Sequence, residues 1–241
     1  MKFLELSFGE PAANLACDEA LLEMMEADFS QRSCDGCLRI WQAKQYFVVV
    51  GHSDRMQSNV NISACKNHSI PILRRISGGG TVVQGPGCMN YSLILKDGAR
   101  LKNIGDTFKY VLERHRSVVE QIFGVTARLE GISDLTFNGL KFSGNAQYRK
   151  ARSVLVHGTF LCNFDLSVIE TLLPAPAKQP AYRRRRPHLE FITNLPVDPG
   201  QLCDRLKHVW GCGENLSEVP FARIDQLVRD RYGKIGWTEK F

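Results

Sequence analysis

The sequence has no apolar run long enough to cross a membrane. None of its segments approaches the roughly 20 residues that a spanning helix needs. Its first ten residues carry charges at Lys2, Glu5 and Glu10, where a secretory signal peptide would need an apolar stretch. We therefore expect a cytoplasmic protein without a membrane partner.

Cysteines at metal-ligand spacing are scarce, although the chain has eight cysteines. Cys34 and Cys37 form the one CxxC pair, and structural zinc needs four ligands, so a distant residue such as Cys212 would have to join them. The chain is neither short nor evidently secreted, which argues against a disulfide framework. Four further cysteines lie in apolar or mixed surroundings and are predicted to be small core residues: Cys17, Cys65, Cys162 and Cys203.

The composition is that of an ordinary globular protein, with 44% hydrophobic and 23% charged residues in a chain of 241. Lys and Arg exceed Asp and Glu by six, and this excess falls to two without the run Arg183, Arg184, Arg185 and Arg186. A localised basic patch indicates a phosphate-bearing ligand or an acidic partner, whereas a nucleic-acid surface would spread its cations over a whole face. We expect no nucleic-acid partner, and a solvated basic loop is the alternative for the arginine run.

Two stretches have the apolar spacing of helices. Residues 14–27 place leucines and a methionine on one face with Asp18 and Glu19 opposite, and residues 104–123 repeat apolar side chains by threes and fours up to Gly124, a usual helix stop. His115 lies on the apolar face of the second helix and is predicted to be a core residue.

Strand patterns fill much of the remaining chain. Residues 38–41 and 46–50 are predicted to be strands that meet at Ala43-Lys44, and 125–162 contains further strands with a hairpin turn at Asn138-Gly139. Helices and strands alternate irregularly and hairpins occur. The predicted fold is therefore α+β: one domain, residues 1–241, with a mixed, largely antiparallel sheet flanked by helices.

The segment Arg74-Arg75-Ile76-Ser77-Gly78-Gly79-Gly80-Thr81 joins paired arginines to three glycines. Because glycines lack a Cβ atom, the backbone can approach a ligand and aim its N–H groups at phosphate or carboxylate oxygens, while the guanidinium groups supply positive charge. The segment is neither a Walker A loop nor a dinucleotide GxGxxG motif. It predicts an anion-binding loop, with a flexible turn as the alternative.

One lysine stands among apolar and small residues. Lys141 is surrounded by Leu140, Phe142 and Gly144, so a strand there would project its ammonium as an isolated cation. Such a cation can hold a carboxylate for attack on the α-phosphate of ATP, and then stabilise the charge that develops as the acyl group leaves. Taken alone, a strand lysine is more often a surface residue.

Three segments together resemble the motifs of the lipoate-protein ligase A family: RRISGGGTV, DL..NGLKFSGNAQ and HGTFL. The resemblance also takes in NLACDEALL, LRIW, VVVGHS and the segment from Leu227 to Trp237, so it spans nearly the whole chain. That family shares its catalytic fold with biotin-protein ligase and octanoyltransferase. The resemblance implies that lipoate (or octanoate) and ATP form an acyl-adenylate, and that the acyl group then passes to a lysine of a lipoyl carrier domain, such as an E2 subunit or a glycine-cleavage H protein.

The resemblance also implies the site residues. Lys141 matches the essential lysine, and Asp134 matches the acidic residue near Mg²⁺ and the phosphates. The run Arg183 to Arg186 would dock the carrier domain or touch the phosphates. The residues expected to contact the lipoyl-adenylate and ATP are Arg74, Arg75, Ser77, Gly78, Gly79, Gly80, Thr81, Asn90, Ser143, Gly144, Asn145, Ala146, His157 and Gly158.

The chain departs from the family pattern in three ways. Gln84-Gly85 stands where the family usually has a His-Asp pair, and Gly87-Cys88 replaces the common Gly-Asn. Typical bacterial ligases also have a smaller C-terminal domain, and we expect this domain to be absent here. We therefore expect residues 1–241 to be the catalytic domain alone, which either works with a separate accessory subunit or transfers an already activated acyl group.

A lipoyl or octanoyl transferase is the main alternative. The related octanoyltransferases carry the acyl group as a thioester on a cysteine just before the Asp-Leu and lysine motif. Here that stretch reads Glu130-Gly131-Ile132-Ser133, and Cys88 remains as a candidate nucleophile or pocket thiol. Adenylate chemistry is therefore favoured over thioester chemistry, and a lipoate or biotin binding module without catalytic activity is the third hypothesis.

Overall fold

The computed structural model describes residues 1–27, 35–96, 101, 103–176 and 178–241. The strands in these ranges are β1 (Lys2–Glu5), β2 (Gly36–Trp41), β3 (Phe47–Val50), β4 (Ile72–Arg74), β5 (Val82–Gln84), β6 (Cys88–Lys96), β7 (Ala127–Glu130), β8 (Asp134–Phe137), β9 (Leu140–Arg149), β10 (Ser153–Leu161) and β11 (Glu214–Asn215). The α-helices are α1 (Pro11–Ala27), α2 (Met56–Asn59), α3 (Ile62–Asn67), α4 (Ile104–Phe123), α5 (Ser167–Leu172), α6 (Pro199–Val209), α7 (Phe221–Leu227) and α8 (Ile235–Thr238). None of these helices is long and apolar enough to span a bilayer.

The strands form two sheets. The large sheet has the order β11-β1-β2-β6-β10-β9-β8-β7, and the small sheet has the order β4-β3-β5. In the large sheet, β1 pairs in parallel with β11 and β2, and every other pairing is antiparallel. The predicted α+β fold with a mixed, largely antiparallel sheet flanked by helices is therefore confirmed.

The two faces of the large sheet carry separate cores. Helices α4 and α6 cover one face, where Val111, Leu112 and Leu206 pack on Leu93 and Val156. Helix α1, α7 and the small sheet cover the other face. Helices α3 and α5 then cover the outer side of the small sheet. The small sheet thus lies between two apolar layers, and the space between it and the large sheet is where a ligand can enter.

Several sequence-based predictions are confirmed at residue level. Helix α4 spans Ile104–Phe123 and ends at Gly124, whose φ of 65° is left-handed. Asn138 and Gly139 both have positive φ, as the predicted hairpin turn between β8 and β9 requires. Cysteine burial is also as predicted, since Cys17, Cys65, Cys162 and Cys203 are all buried.

Two predictions were wrong. The strands β2 and β3 do not pair with each other: β2 pairs with β1 and β6, whereas β3 pairs with β4 and β5 in the small sheet. Asp18 and Glu19 do not lie on an exposed face of helix α1, because both are buried. Arg39 neutralises Asp18, and Arg231 with Tyr232 binds Glu19, so these carboxylates are paired inside the protein.

The structure adds β6, a strand that no periodicity predicted. Its residues from Cys88 to Leu95 are buried, because cores lie on both faces of the sheet. A strand that is buried on both faces lacks the alternation of apolar and polar residues that identifies a half-exposed strand.

We expect the stability of the fold to depend on pH through His115. This residue accepts a hydrogen bond from Trp210 Nε1 at 2.9 Å, and burial lowers its pKa to about 3. The unfolded chain binds the proton at a pKa of about 6.5, so the unfolding free energy falls below that pH, by about 2 kcal/mol at pH 5. Denaturant unfolding of wild type and His115→Gln at pH 7.5 and pH 5 measures this. The variant should lose less stability on acidification, and equal losses would contradict the assignment.

Candidate functional site

A cavity of about 890 Å³ lies between the two sheets. Val49, Val83 and Gln84 line it from the small sheet, and the glycine loop lines it at one side. The segment after α5 lines it on another side through prolines, Arg183 and Phe191. Its volume lies within the range of pockets that bind drug-sized molecules.

Two rows of residues form the floor of this cavity, and all of them except the fully buried Arg39 line it directly. Antiparallel pairing places Trp41, Asn90, Thr159, Gly144 and Asp134 opposite one another on the five adjacent strands β2, β6, β10, β9 and β8. A second row, two residues further along each strand, consists of Arg39, Ser92, His157 and Ala146. Because side chains alternate along strands, the two rows share one face of the sheet.

Lys141 reaches the floor through an irregularity in β9. Leu135 pairs with Ser143 but Thr136 pairs with Lys141, so Phe142 is an extra residue on β9. Lys141 lies three positions before Gly144, and a regular strand would put the two residues on opposite faces. With the bulge, a Cβ atom on Gly144 would lie 2.8 Å from Lys141 Cε and 2.9 Å from Nζ, so the glycine leaves the room that the lysine side chain occupies.

The Lys141 ammonium is not the isolated cation that the sequence predicted. Its Nζ lies 2.7 Å from Asp134 Oδ1, and Tyr182 Oη donates to Asp134 Oδ2 at 2.7 Å. Burial and the Asp134 charge raise the pKa of Tyr182, so its hydroxyl stays protonated. The ion pair fixes the ammonium at one end of the first floor row.

Arg75 organises the glycine loop. Its Nη2 donates to the carbonyl oxygens of Gly78 and Gly80, at 2.6 and 2.9 Å, and its Nε donates to Ser77 Oγ at 2.9 Å. Burial lowers the pKa of Arg75 to about 10. This value is still well above neutral pH, so the guanidinium stays charged. Arg75, Gly79, Gly80 and Thr81 line the cavity.

Arg74 points away from the cavity, contrary to its expected contact with the ligand. It is fully buried and donates to the carbonyl oxygens of Gly51, Asp54 and Thr238. Successive residues of an extended segment point to opposite sides, so Arg74 and Arg75 cannot both face the ligand. Arg74 therefore ties the C-terminal helix to the small sheet. Ser77 and Gly78 also lie behind the loop surface rather than among the residues that line the cavity.

His157 links the floor to the glycine loop. Its Nε2 lies 2.6 Å from Ser77 Oγ, and its Nδ1 lies 3.0 Å from Asp18 Oδ2. Asp18 also accepts from Arg39 and Ser92. Burial opposes the charge on Asp18, but the hydrogen bond from His157 and the Arg39 guanidinium hold its pKa below the ordinary value.

The other predicted residues are close to one another. Ser143, Gly144, Asn145, Ala146, His157, Gly158 and Asn90 all line the cavity. Tyr91 Oη donates to Asn145 Oδ1 at 2.6 Å, and Asn145 Nδ2 donates to the carbonyl of Ser133 at 2.7 Å. A Cβ atom on Gly158 would lie 1.9 Å from Asn145 Oδ1, so only glycine leaves space for this amide.

Several buried polar atoms of the cavity wall have no partner within the part of the chain that the structure describes. They are Gln84 Oε1, Asn90 Nδ2 and Arg183 Nη2. Buried polar groups are otherwise almost always hydrogen-bonded, so unpaired ones at a cavity indicate a place for polar atoms of a ligand.

Neither Cys88 nor any other cysteine in the described ranges lines the cavity. Cys88 is fully buried, and burial raises the pKa of its thiol well above the usual value. A thiol in such surroundings is inert. Cys37 is buried as well, and Cys34 lies outside the described residues.

The four arginines of the basic run differ in exposure: Arg184 and Arg185 are exposed with left-handed backbone, whereas Arg183 and Arg186 contact other parts of the protein. Arg183 is buried beside the cavity and packs on the ring of Phe191. Arg186 donates to the carbonyl oxygens of Gly139 and Tyr182.

The carboxylates do not form a metal cage by themselves. Within the described ranges, no three His, Cys, Asp or Glu side chains are grouped closely enough to hold a metal ion. Asp134 is the carboxylate nearest to Lys141, and Mg²⁺ usually combines one or two carboxylates with substrate phosphates and water. A single carboxylate therefore fits a metal ion that binds together with a nucleotide, and it does not fit a metal ion that the protein holds by itself.

Residues 10–197 match the family model described as the lipoyl protein ligase A/B catalytic domain. The chain belongs to this family. It is an enzyme that ligates lipoate. One relative is "Lipoate--protein ligase 1" of Staphylococcus aureus, which is 28% identical to this chain; the match covers 99% of this chain and 73% of the relative.

Solved structures share the fold. A bipartite lipoate protein ligase of Thermoplasma acidophilum, solved in a study of that ligase and its E2 lipoyl domain, superposes with a TM-score of 0.82 at 19% identity, over 99% of this chain and 95% of that one. A lipoate-protein ligase A bound with ATP superposes with a TM-score of 0.80 at 21% identity, over 99% of this chain and 98% of that one.

Asp18 and Trp41 line the cavity although neither was predicted to do so. Both lie in the segments NLACDEALL and LRIW, which contributed to the family resemblance, so a signal was present. Asp54 was also missed; it lines the cavity and accepts a hydrogen bond from Thr81.

We expect Gly144→Ala to impair the enzyme without unfolding it. The added methyl group would overlap the end of the flexible Lys141 side chain, which can move, so the ammonium is displaced from the floor of the cavity. Acyl transfer should fall at least tenfold while the unfolding midpoint changes little. Gly213→Ala is the matched control, because a Cβ atom there meets nothing within 4 Å. Wild-type activity in Gly144→Ala would contradict this role of the glycine.

Proposed function

We propose that this chain is an ATP-dependent lipoate-protein ligase that forms lipoyl-adenylate and transfers the lipoyl group to a lysine of a lipoyl carrier domain. The observation that carries the proposal is the position of the Lys141 ammonium: it is paired with Asp134, lies over Gly144 and faces a cavity bordered by a glycine loop. In this proposal residues 1–241 act as a single catalytic domain.

The first step joins lipoate to AMP. A carboxylate oxygen of lipoate attacks the α-phosphorus of ATP, the bond to the β-phosphate oxygen breaks, and pyrophosphate leaves. Lys141 holds the carboxylate and the α-phosphate oxygens together and so offsets their mutual repulsion. The backbone of Gly79 and Gly80, held in place by Arg75, borders the same space.

The second step moves the acyl group. The neutral amine of the carrier lysine attacks the acyl carbon, the bond to the AMP oxygen breaks, and an amide forms while the amine loses its proton to solvent or base. Lys141 stabilises the negative charge that returns to AMP. No cysteine in the described ranges lines the cavity, where a thioester intermediate would have to form, and this favours the ligase over the transferase alternative.

Mg²⁺ would be held by the ATP phosphates together with Asp134, and it would neutralise phosphate charge. Relatives support the substrates: one neighbouring fold was solved with ATP, and the S. aureus relative is named as a lipoate-protein ligase. The T. acidophilum ligase has an E2 lipoyl domain as its partner, and we propose a domain of that kind as the carrier here.

The arginine run is proposed to have two functions. Arg183 is buried at the cavity with Nη2 unpartnered, so it is positioned to bind a phosphate oxygen. Arg184 and Arg185 are exposed and free to contact an acidic carrier domain.

Intact-mass spectrometry of a lipoyl carrier domain tests the proposal. After incubation with this chain, Mg²⁺, ATP and lipoate, we expect the mass of one lipoyl group to be added, and Lys141→Ala should reduce the rate at least a hundredfold while the protein stays folded. Addition without ATP, from an acylated carrier donor, would contradict the adenylate route. Addition that requires a second protein would identify an accessory subunit and contradict the self-sufficient single domain.

Substitution of the arginines separates their functions. We expect Arg183→Ala to raise the KM for ATP about tenfold or more, because a charge-assisted contact is lost, and to leave the KM for the carrier domain unchanged. The matched variant Arg185→Ala should change the carrier KM alone. Equal KM values for ATP in wild type and Arg183→Ala would refute phosphate binding by Arg183.

A further inference from the structure

The neighbours of His157 restrict where the proton of its neutral ring lies. The guanidinium Nε of Arg75 can only donate, so Ser77 Oγ accepts from it. The hydroxyl proton of Ser77 is then free to go to the other neighbour of Oγ, which is His157 Nε2 at 2.6 Å. A nitrogen that accepts this proton carries none of its own, so the ring proton of the neutral His157 lies on Nδ1.

Asp18 fixes this tautomer. Its Oδ2 lies 3.0 Å from His157 Nδ1, and its Oδ1 accepts from Arg39 Nη1 at 2.7 Å and Ser92 Oγ at 2.6 Å. These donors keep the carboxylate ionised, and an ionised carboxylate accepts only. A proton on Nδ1 is therefore the one arrangement that satisfies Asp18, His157 and Ser77 together.

The chain of bonds ends at the glycine loop. With Nε of Arg75 held by Ser77, its Nη2 reaches the carbonyl oxygens of Gly78 and Gly80. Gly79, between them, adopts a φ of 87°, and Gly79 and Gly80 line the cavity. The shape of the loop at the ligand thus depends on a series of contacts that begins on helix α1.

We propose that Asp18 is a positioning residue of the enzyme: by fixing His157 as the Nδ1–H tautomer, it holds Ser77 and Arg75 in the orientation that shapes the glycine loop for its ligand. This inference rests on the proposed ligase function for its activity readout. It assigns a function to a residue that is far from the loop in sequence and on a different element.

The same geometry resembles the Ser-His-Asp triad of acyl-transfer enzymes, but two observations exclude a nucleophilic Ser77. Its side chain is completely buried, and Arg75 Nε already occupies a lone pair of Oγ. A nucleophile needs an accessible oxygen whose lone pair points at the substrate. Ser77 therefore serves as a link between His157 and Arg75.

The substitution Asp18→Asn tests the proposal. Its oxygen can continue to accept from Arg39 and Ser92, so its NH₂ group faces His157 Nδ1, which then becomes an acceptor and moves the ring proton to Nε2. This proton points at Ser77 Oγ, which then accepts from both His157 and Arg75, and the buried Ser77 hydroxyl proton loses the acceptor that it has in wild type. The bonds that orient Arg75 and the glycine loop are weakened as a result. We expect kcat/KM for lipoyl transfer to fall about 10- to 100-fold.

Nitrogen-15 NMR of the histidine rings reads the tautomer directly, without any ligand or activity. The His157 signals, assigned by their loss in His157→Gln, should report a proton on Nδ1 in wild type and on Nε2 in Asp18→Asn at pH 7.5. Glu19→Gln is the matched control: it removes the next buried carboxylate of α1, which binds Arg231 and Tyr232 away from the cavity. That variant should keep the wild-type tautomer and activity.

Three results would overturn the proposal: a wild-type His157 that carries its proton on Nε2 or on both nitrogens, an Asp18→Asn protein that changes tautomer but keeps full activity, or an acyl group found on Ser77 by mass spectrometry. If Asp18→Asn does not fold, two measurements still test the proposal. The first is the wild-type spectrum, and the second is the activity of Ser77→Ala, which breaks the same series of hydrogen bonds without a change of charge. A wild type with the assigned tautomer but without ATP-dependent lipoylation would refute the proposed function alone.

Discussion

The register of the antiparallel strands β6, β10, β9 and β8 is the constraint on which the candidate site depends. It aligns Asn90, Thr159, Gly144 and Asp134 in one row across the sheet, although they come from distant parts of the chain. A shift of any strand by one residue would turn its side chains to the opposite core. The apolar residues that alternate with this row, such as Tyr91 and Phe160, are buried against α4 and α6, and their burial holds the register.

Buried charge is the second organising feature. Asp18 with Arg39 and Glu19 with Arg231 and Tyr232 fasten α1 to the large sheet and to the C-terminal segment. Arg74 and Arg75, adjacent in sequence, are buried on carbonyl oxygens of different segments. A buried pair adds little stability over a packed apolar one, but loss of one partner is costly. The contacts of Arg74 and Arg75 therefore fix where the segments beside the cavity lie, whereas the Glu19 contacts fasten the C-terminal segment to α1.

Much of the fold and part of the site followed from the sequence. The helical spacing and Gly124 predicted α4 to the residue, and Asn138-Gly139 predicted the hairpin that precedes Lys141, because these are local signals. Most of the residues that the motifs named also line the cavity. Assignment of β2 and β3 to different sheets was not predictable, since pairing partners such as β6 lie far away along the chain.

The sequence by itself determined the chemistry that is available: a lysine among small residues, a glycine loop beside arginines, and no cysteine before the lysine motif. Only the tertiary structure decided how these groups are used. The bulge at Phe142 brings Lys141 to the same face as Gly144, the alternation of extended backbone sends Arg74 behind the loop, and a carboxylate of α1 reaches His157. Each of these outcomes depends on long-range pairing and burial, and none of them is encoded in the spacing of neighbouring residues.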